Sequence, residues 1–265
     1  MSDGNIEKAG QYQAKAYLAG NTLDLMLQDI APTTQEDAYK VQQSFVDSLS
    51  KTKGGLGGYK IAYTSAVMRE ARGVSDPCAG VIFADTIFES PKELNGADYI
   101  KLAIECEVGV RLGSEVKASG APYTRDSIAP HIESLMTAFE IVDIRPVGAP
   151  EGADPAISSI VTNIFGGGAV LGTEIKDWKG IDLPASKGTM SINGKLVGEG
   201  KGSDVMGHPL EALVWLANSL SARGESMPAG TVVITGSIIP PTPLGSGDTA
   251  TISIDGLGEA NIKVS

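Results

Sequence analysis

The chain has few of the residues that define several common classes of protein. Its 265 residues include two cysteines and two histidines, and only 5% are aromatic. Cys78 and Cys106 are too few for a disulfide framework, and their spacing does not fit a zinc site. No run of about 18 apolar residues is present, so we expect no membrane helix. The N-terminal segment lacks the apolar stretch of a signal peptide, which favours a cytoplasmic protein.

Positive charge is also scarce. The chain contains 21 Lys and Arg residues against 32 Asp and Glu residues, for a net charge of −11, and it has no basic stripe. This balance is unfavourable for sequence-independent binding to nucleic acid, which depends on basic side chains that contact phosphates. Neither His131 nor His208 has a neighbouring partner in the sequence that would complete a Ser-His-Asp triad, so a hydrolase of that kind is not expected.

The N-terminal residues have the periodicity of helices. Residues 6–52 are predicted to be helical, and a second helix over 38–49 follows a capping pair formed by Thr34 and Asp37. The glycine-rich stretch 54–58 is predicted to be a mobile or tightly turning connection, because it lacks the pattern of a phosphate-binding loop. The apolar residues that set the spacing of the first helix are Ala14, Tyr17, Leu18 and Leu25.

The rest of the chain is predicted to be mostly β. Asn193 and Gly194 form a strong signal for a hairpin turn. One helix over 208–224 interrupts the strands, with Pro209 in its first turn and Gly224 at its end. The predicted strands are 59–63, 80–83, 101–112, 138–143, 168–172, 190–197 with the hairpin inside it, 230–235, 249–254 and 260–264.

Two glutamates one residue apart are the most informative feature of the sequence. Glu105 and Glu107 lie in an alternating run rich in Ile, Val and Leu, which predicts a strand. Residues i and i+2 of a strand point to the same face, about 6–7 Å apart, so the opposite face carries Ile104, Cys106 and Val108, which suit a core. Two buried like charges repel each other, and magnesium, manganese or calcium would relieve that cost. The alternative is a half-exposed strand with an acidic outer face.

Two further charged residues belong to the same hypothesis. Glu140 lies between the apolar residues Phe139 and Ile141, and it would complete a set of three carboxylates that holds a hard cation and leaves positions open for substrate. The alternative is an ion pair between Glu140 and Arg145 or another base. Lys60 follows the glycine-rich stretch, and it is either a solvated strand lysine or a cation that binds a substrate carboxylate beside the acidic cluster.

Six segments occur in the chain in a fixed order: 58–65 (GYKIAYTS), 104–107 (IECE), 139–143 (FEIVD), 207–218 (GHPLEALVWLAN), 235–237 (TGS) and 247–248 (GD). Together they resemble the 2-oxopent-4-enoate hydratase / 4-oxalocrotonate decarboxylase family, within the wider fumarylacetoacetate hydrolase superfamily. The resemblance covers roughly residues 12–265, and the collinear segments are far more specific together than any one of them alone.

The resemblance implies an α+β fold. A small N-terminal helical region over 1–58 would precede a larger mixed-β catalytic domain over 59–265, rolled into a β-sandwich or β-roll of the fumarylacetoacetate hydrolase type. The resemblance also implies a magnesium or manganese cofactor, held by residues that match Glu105, Glu107 and Glu140.

The implied function is that of a metal-dependent lyase of aromatic catabolism, which hydrates or decarboxylates a short 2-oxo or 2-hydroxy-dienoate acid. In the family the metal chelates the carboxylate and the 2-oxo oxygen of the substrate, and Lys60 matches a lysine near that anionic end. Asn163 is the second candidate catalytic residue. We expect a homo-oligomer, with a related lyase subunit as a candidate partner. The candidate substrate-binding residues are Ser65, Phe165 and Ser237.

The chain departs from the family pattern in the stretch 161–165. The family commonly has Ala-Asp-Asn-Ala-Ser there, whereas this chain keeps the asparagine but has Thr162 in place of the acid and Phe165 in place of the serine. Phenylalanine cannot hydrogen-bond to water or substrate, and it dries and narrows a pocket. Ala79 also replaces a frequent aromatic residue. We hypothesise that metal and 2-oxo acid binding persist, whereas hydration of the standard substrate does not follow from the resemblance.

Two other functions remain open at this point. A carbon–carbon hydrolase of the fumarylacetoacetate hydrolase type needs an activated water, commonly provided by a His–carboxylate pair, and the scarcity of histidine argues against it. A catalytically silent subunit that binds a 2-oxo acid is the other alternative, and the substitutions Thr162 and Phe165 support it.

Overall fold

The structure, a computed structural model, describes residues 1–21, 30–145 and 154–265. Its α-helices are α1 (Asp3–Leu18), α2 (Gln35–Lys53), α3 (Ala66–Arg72), α4 (Arg125–Ile128), α5 (Pro155–Val161) and α6 (Pro209–Ala222). Its strands are β1 (Leu56–Ala62), β2 (Cys78–Phe83), β3 (Ile87–Glu89), β4 (Lys92–Leu94), β5 (Leu102–Leu112), β6 (Ile132–Asp143), β7 (Gly166–Leu171), β8 (Lys187–Ile192), β9 (Lys195–Lys201), β10 (Val232–Pro243), β11 (Thr249–Ile254) and β12 (Gly258–Val264).

The N-terminal region forms two helices that pack against each other. The Thr34 side chain accepts a hydrogen bond of 3.2 Å from the Asp37 backbone N–H, which caps α2 as predicted. The rings of Tyr17 and Phe45 meet edge to face, with centroids 5.8 Å apart, and join α1 to α2. The prediction of helices is therefore confirmed for the described residues, while Leu25 lies outside them. No helix of the described segments is long and apolar enough to cross a membrane.

The described strands form two sheets. The first has the order β2-β1-β10-β5-β6-β7-β3, and the second has the order β4-β12-β11-β8-β9. In the first sheet β5 is central, because it pairs antiparallel with β6 on one side and with β10 on the other. β1 joins the far side of β10 in parallel. This arrangement brings residues from distant parts of the chain, on β1, β5, β6 and β10, into one continuous surface.

The two faces of β5 have different environments. Ile104, Cys106 and Val108 are at most 1% exposed and belong to the main apolar core, together with Met190 and Ile252 of the second sheet. This confirms the predicted core face of the strand. The opposite face carries the two glutamates, beside a smaller apolar cluster that includes β6 and β7 residues. The second sheet therefore covers the side of β5 that does not bear charge.

Two local predictions are confirmed. Asn193 and Gly194, with φ of 51° and 75°, form the turn between β8 and β9, as a type I′ hairpin requires. Pro209 begins α6, and Gly224 follows the helix with a φ of 77°. The α+β architecture, with a helical N-terminal part and a mixed-β core, is also as predicted, whereas the division of the chain at residue 58 remains a prediction.

Other elements differ from the prediction. β6 begins at Ile132 rather than at residue 138, and β10 continues to Pro243 rather than ending at 235. Register shifts along the pairing of β10 with β5 let this strand accommodate its prolines. β1 begins at Leu56, so the predicted connection over 54–58 is wrong in its second half. The elements α3, α4, α5, β3 and β4 were not predicted, because they are too short for a clear periodicity.

The close approach of β1 to β10 predicts a specific role for Gly58. A Cβ at this position would lie 2.3 Å from the Val232 carbonyl oxygen, so Gly58→Ala should separate the strands and lower the free energy of unfolding by about 1–3 kcal/mol. Gly55→Ala is the matched control, since no heavy atom lies within 4 Å of its Cβ position. Urea denaturation measures both variants, and equal unfolding midpoints would contradict the prediction.

Candidate metal centre

Three carboxylates converge on one face of the first sheet. Glu105 on β5 pairs directly with Glu140 on β6, and Glu107 pairs with Ala138, two residues further along. Because residues i and i+2 of a strand share a face, all three acidic side chains lie on the same side of the sheet. Each can offer one oxygen atom such that the three atoms lie within 4.8 Å of one another. The structure thus brings together the three predicted metal ligands.

The surroundings of Glu105 and Glu107 disfavour the ionisation of these two carboxyl groups in the absence of a cation. Glu107 and Glu140 are 1% and 4% exposed, and Glu105 is half-buried. Burial, followed by the negative charge of Glu140, raises the pKa of Glu105 to about 8. Burial and then the charges of Glu140 and Glu105 raise the pKa of Glu107 well above its ordinary value. The alternative of a half-exposed acidic strand is therefore wrong.

The two oxygen atoms of Glu107 have different partners. Oε2 accepts a hydrogen bond of 2.7 Å from the backbone N–H of Gly236, whereas Oε1 is buried and has no hydrogen-bond partner in the described part of the chain. A buried acceptor without a partner is costly, and a metal ion would satisfy it. The hard oxygen donors, the clustered negative charge and this unpaired atom all fit a divalent cation such as Mg²⁺, Mn²⁺ or Ca²⁺.

Gly236 can make this contact only because it has no side chain. Its φ is 110°, a backbone conformation that L-residues rarely adopt. A Cβ there would also lie 2.3 Å from the Thr64 hydroxyl oxygen. The glycine thus lets β10 and the loop after β1 approach each other while its N–H fixes one oxygen of Glu107.

Lys60 is part of the same cluster. It is 2% exposed, its ammonium group forms an ion pair and hydrogen bond with Glu140 Oε1, and it donates a second hydrogen bond of 2.7 Å to the carbonyl oxygen of Ile164. The alternative of a solvated strand lysine is therefore wrong. Arg145 pairs with Asp143 at 2.7 Å, so Glu140 pairs with another base, Lys60, and not with Arg145.

An unusual turn of the backbone positions the Ile164 carbonyl beside Lys60. Asn163, Ile164 and Phe165 have φ of 50°, 52° and 56°, and three consecutive left-handed residues that are not glycine cost about 1–3 kcal/mol each. The Asn163 amide stabilises this turn. Its Oδ1 accepts a hydrogen bond of 2.7 Å from the Val81 N–H, and its Nδ2 donates one of 2.8 Å to the Val81 carbonyl. Both ends of the amide are thus bound to the backbone of β2.

The two residues that depart from the family pattern, Thr162 and Phe165, lie at the two ends of this turn. The Thr162 hydroxyl donates to the carbonyls of Ser158 and Ser159, at 3.0 and 3.1 Å, and so bonds back to its own helix. Phe165 is half-buried and precedes Gly166, where a Cβ would lie 3.7 Å from Lys60 Cε.

Ser237 and Ser65 are the residues that follow Gly236 and Thr64, respectively, in the chain. Ser237 pairs with Glu107 in the register of β10 and β5, and its hydroxyl donates to the Ile239 carbonyl. Ser65 precedes α3 and is half-buried. The roles of these serines in substrate binding remain predictions.

Two groups that bind the charged side chains of this site could not be predicted from the sequence, because both belong to the backbone. The Gly236 N–H lies within the TGS segment, which the family resemblance includes, but nothing in the sequence says that this N–H contacts Glu107. The Ile164 carbonyl has no sequence signal at all, because isoleucine strongly disfavours a positive φ.

Comparisons with known proteins agree with this fold. Residues 74–265 match the family described as fumarylacetoacetate (FAA) hydrolase C-terminal. The chain is 31% identical to 2-hydroxyhexa-2,4-dienoate hydratase of Comamonas testosteroni, over 99% of each protein. It is 28% identical to 2-keto-4-pentenoate hydratase 1 of Dechloromonas aromatica, over 97% of this chain and 96% of that protein.

Among solved structures, 4-oxalocrotonate decarboxylase from Pseudomonas putida G7, complexed with magnesium and adipate, has a TM-score of 0.89 and 25% sequence identity. The match covers 100% of this chain and 99% of that one. The chain therefore belongs to the fumarylacetoacetate hydrolase family, and the resemblance found in the sequence is confirmed.

The geometry predicts the effect of removing one charge from the cluster. Glu107→Gln keeps the shape of the side chain but removes an anionic ligand, so it should abolish binding of Mg²⁺ and Mn²⁺ and leave the fold intact. Isothermal titration calorimetry measures the affinity, and circular dichroism checks the fold. Glu115→Gln, at an exposed position beyond the end of β5, is the control and should bind metal like the wild type. Unchanged affinity in Glu107→Gln would refute the assignment.

The raised pKa of Glu105 predicts how the metal-free protein responds to pH. The carboxyl group has a pKa of about 8 in the folded protein, against an ordinary value of 4.5. The folded state therefore keeps a proton that the unfolded chain releases, and this contribution to stability is lost as the pH rises from about 4.5 to about 8. Urea denaturation in the presence of a chelator should show this loss, and Glu105→Gln should reduce it. An identical pH dependence in both proteins would contradict the prediction.

Proposed function

We propose that the protein is a divalent-metal-dependent lyase of the hydratase/decarboxylase type, acting on a short 2-oxo or 2-hydroxy-dienoate acid in aromatic catabolism. The observation that carries the proposal is the convergence of Glu105, Glu107 and Glu140, with a buried oxygen of Glu107 left without a partner. The hydratases and the decarboxylase to which the chain is similar over nearly its full length support the same class of reaction.

We assign the cofactor as magnesium or manganese, held by the three glutamates. A bound cation of this kind supplies Lewis-acid stabilisation of negative charge that develops on the 2-oxo oxygen of the substrate. The Gly236 N–H orients Glu107 by binding one of its oxygens and leaving the other free to act as a ligand. The magnesium in the structure of the related decarboxylase supports the choice of metal.

Lys60 is proposed to engage the anionic end of the substrate. Its ammonium group lies against Glu140 and the Ile164 carbonyl in a buried position, where solvent screens its charge weakly. Asn163 is a candidate catalytic residue on the basis of the sequence. Because both ends of its amide are bound to Val81, we now propose that Asn163 acts indirectly, by holding the turn that presents the Ile164 carbonyl to Lys60.

A substrate panel tests the proposal. The purified protein is incubated with Mg²⁺ and, separately, with 2-hydroxypenta-2,4-dienoate, 2-hydroxyhexa-2,4-dienoate and 4-oxalocrotonate. Loss of dienol absorbance without release of carbon dioxide identifies a hydratase, and release of carbon dioxide identifies a decarboxylase. Turnover should disappear with a chelator and return with Mg²⁺. Oxalate binding that depends on Mg²⁺, without turnover of any of the three compounds, would instead identify a silent binding subunit.

The contacts of the two histidines argue against the alternative function, a carbon–carbon hydrolase. His131 Nδ1 lies 2.9 Å from the Ser114 hydroxyl in an exposed pair, and His208 Nδ1 accepts a hydrogen bond from the Leu210 N–H as the cap of α6. Both imidazoles are thus engaged outside the carboxylate cluster. Cleavage of an acylpyruvate by the wild-type protein would reverse this order of preference.

Three expectations from the sequence are carried forward as proposals. We expect a cytoplasmic protein and a homo-oligomer, with a related lyase subunit as a candidate partner. We also retain the division into a helical region over 1–58 and a catalytic domain over 59–265. Limited proteolysis tests the division, and multi-angle light scattering tests the oligomer.

Phe165 predicts a change in reactivity. Phe165→Ser should increase hydration of 2-hydroxypenta-2,4-dienoate, because it removes an apolar ring and adds a hydroxyl that can position water. Phe165→Leu is the control. It replaces the ring with a smaller apolar side chain and adds no hydrogen-bonding group, so it should not increase the rate. Initial rates at saturating Mg²⁺ measure both variants. No gain in the serine variant would indicate that Thr162 or Ala79 limits hydration instead.

A further inference from the structure

A cavity lies on the other side of the sheet from the carboxylates. It has a volume of about 430 Å³ and lies between α2, the strands β1 and β2, and the end of α6. Neighbouring residues of a strand point to opposite faces, so Tyr59 faces this cavity while Lys60 faces the metal centre. The volume is in the range of small-molecule sites, which is about 300–1,000 Å³.

Tyr59 contributes an unsatisfied hydrogen-bond donor to the cavity. The residue is 6% exposed and lines the cavity, and within the described ranges its hydroxyl has no hydrogen-bond partner. The hydroxyl is not one of the buried atoms that lack a partner, so it is accessible from the cavity and can donate to an acceptor there. Burial, followed by the negative charge of Glu225, raises the pKa of Tyr59 to about 12, and the phenol therefore keeps its proton and acts as a donor.

The remaining polar groups of the cavity carry little net charge. Arg223 stacks on the Tyr39 ring at 4.3 Å and donates a hydrogen bond of 2.9 Å to Glu225, so its positive charge is balanced. Lys40 is likewise paired with Glu36 at 2.7 Å. The cavity is thus poorly suited to an anion.

Apart from Gln42 and Gln43, the rest of the wall is apolar, and it offers one further hydroxyl donor. Val46, Ala79 and Val81 line the cavity. The Tyr39 hydroxyl accepts a hydrogen bond of 3.1 Å from the Ala79 N–H, which leaves its own proton available to a second acceptor. A ligand that matches these walls has an apolar body and one neutral oxygen acceptor.

We propose that this cavity binds a small uncharged molecule with an apolar body and a carbonyl oxygen, held by a hydrogen bond from the Tyr59 hydroxyl. This cavity is separate from the candidate metal centre, so ligand binding there does not depend on the proposed lyase activity.

Acetophenone is a suitable probe, because it combines an apolar ring with a ketone oxygen. Ligand-observed NMR titration measures its affinity for the full-length wild-type protein, for Tyr59→Phe and for Tyr12→Phe. The last variant removes a hydroxyl from an exposed tyrosine of α1 and serves as the matched control. Affinity should fall about fivefold in Tyr59→Phe, the factor that one neutral hydrogen bond contributes, and should not change in Tyr12→Phe.

Ethylbenzene, which lacks the oxygen, separates the hydrogen bond from the shape of the cavity. Its affinity should be the same in the wild type and in Tyr59→Phe. A crystal soaked with acetophenone should contain the ketone oxygen within hydrogen-bond distance of Tyr59. Equal acetophenone affinity in the wild type and Tyr59→Phe, no binding at all, or a crystal in which a second copy of the chain fills the cavity would overturn the proposal.

Discussion

Electrostatic repulsion among Glu105, Glu107 and Glu140 is the constraint on which the rest of the site depends. The antiparallel register of β5 and β6 sets two of the carboxyl groups directly opposite each other and the third two residues away. In this position burial and mutual charge raise the pKa of Glu105 and Glu107. Such a cluster is stable only if protons or a cation compensate it. The same repulsion that makes the arrangement costly would be relieved by a divalent ion bound between the three carboxylates.

The surrounding structure offsets part of this cost with groups from other strands. Lys60 brings one positive charge from β1, and the Gly236 N–H on β10 binds one oxygen of Glu107. The turn around Ile164 adopts a strained left-handed conformation and supplies a carbonyl that holds the lysine. Strain of this kind persists where the surrounding contacts determine the conformation, and here the Asn163 amide provides two such contacts. The strained turn is thus the part of the backbone that holds Lys60 beside the carboxylates.

The side chains of the candidate metal centre were predictable from the sequence, whereas the backbone groups around them were not. Alternation placed the two glutamates on one face of a strand, and the apolar neighbours of Glu140 marked it as buried. The main helices and the β8–β9 hairpin were predictable from caps, periodicity and turn residues. The Ile164 carbonyl depends on a left-handed turn in residues that disfavour it, and the cavity at Tyr59 depends on the packing of α2 and α6 against β1. These features arise from contacts between distant segments, which local patterns do not encode.

The most direct test of the central claim is the position of a bound ion. A crystal soaked with Mn²⁺ and oxalate, measured near the manganese absorption edge, gives an anomalous difference map that locates the metal independently of any activity. We expect one strong peak between the carboxylates of Glu105, Glu107 and Glu140, at about 2.0–2.3 Å from one oxygen of each, with oxalate completing the coordination. A peak elsewhere on the protein, or no peak among these three residues, would contradict it.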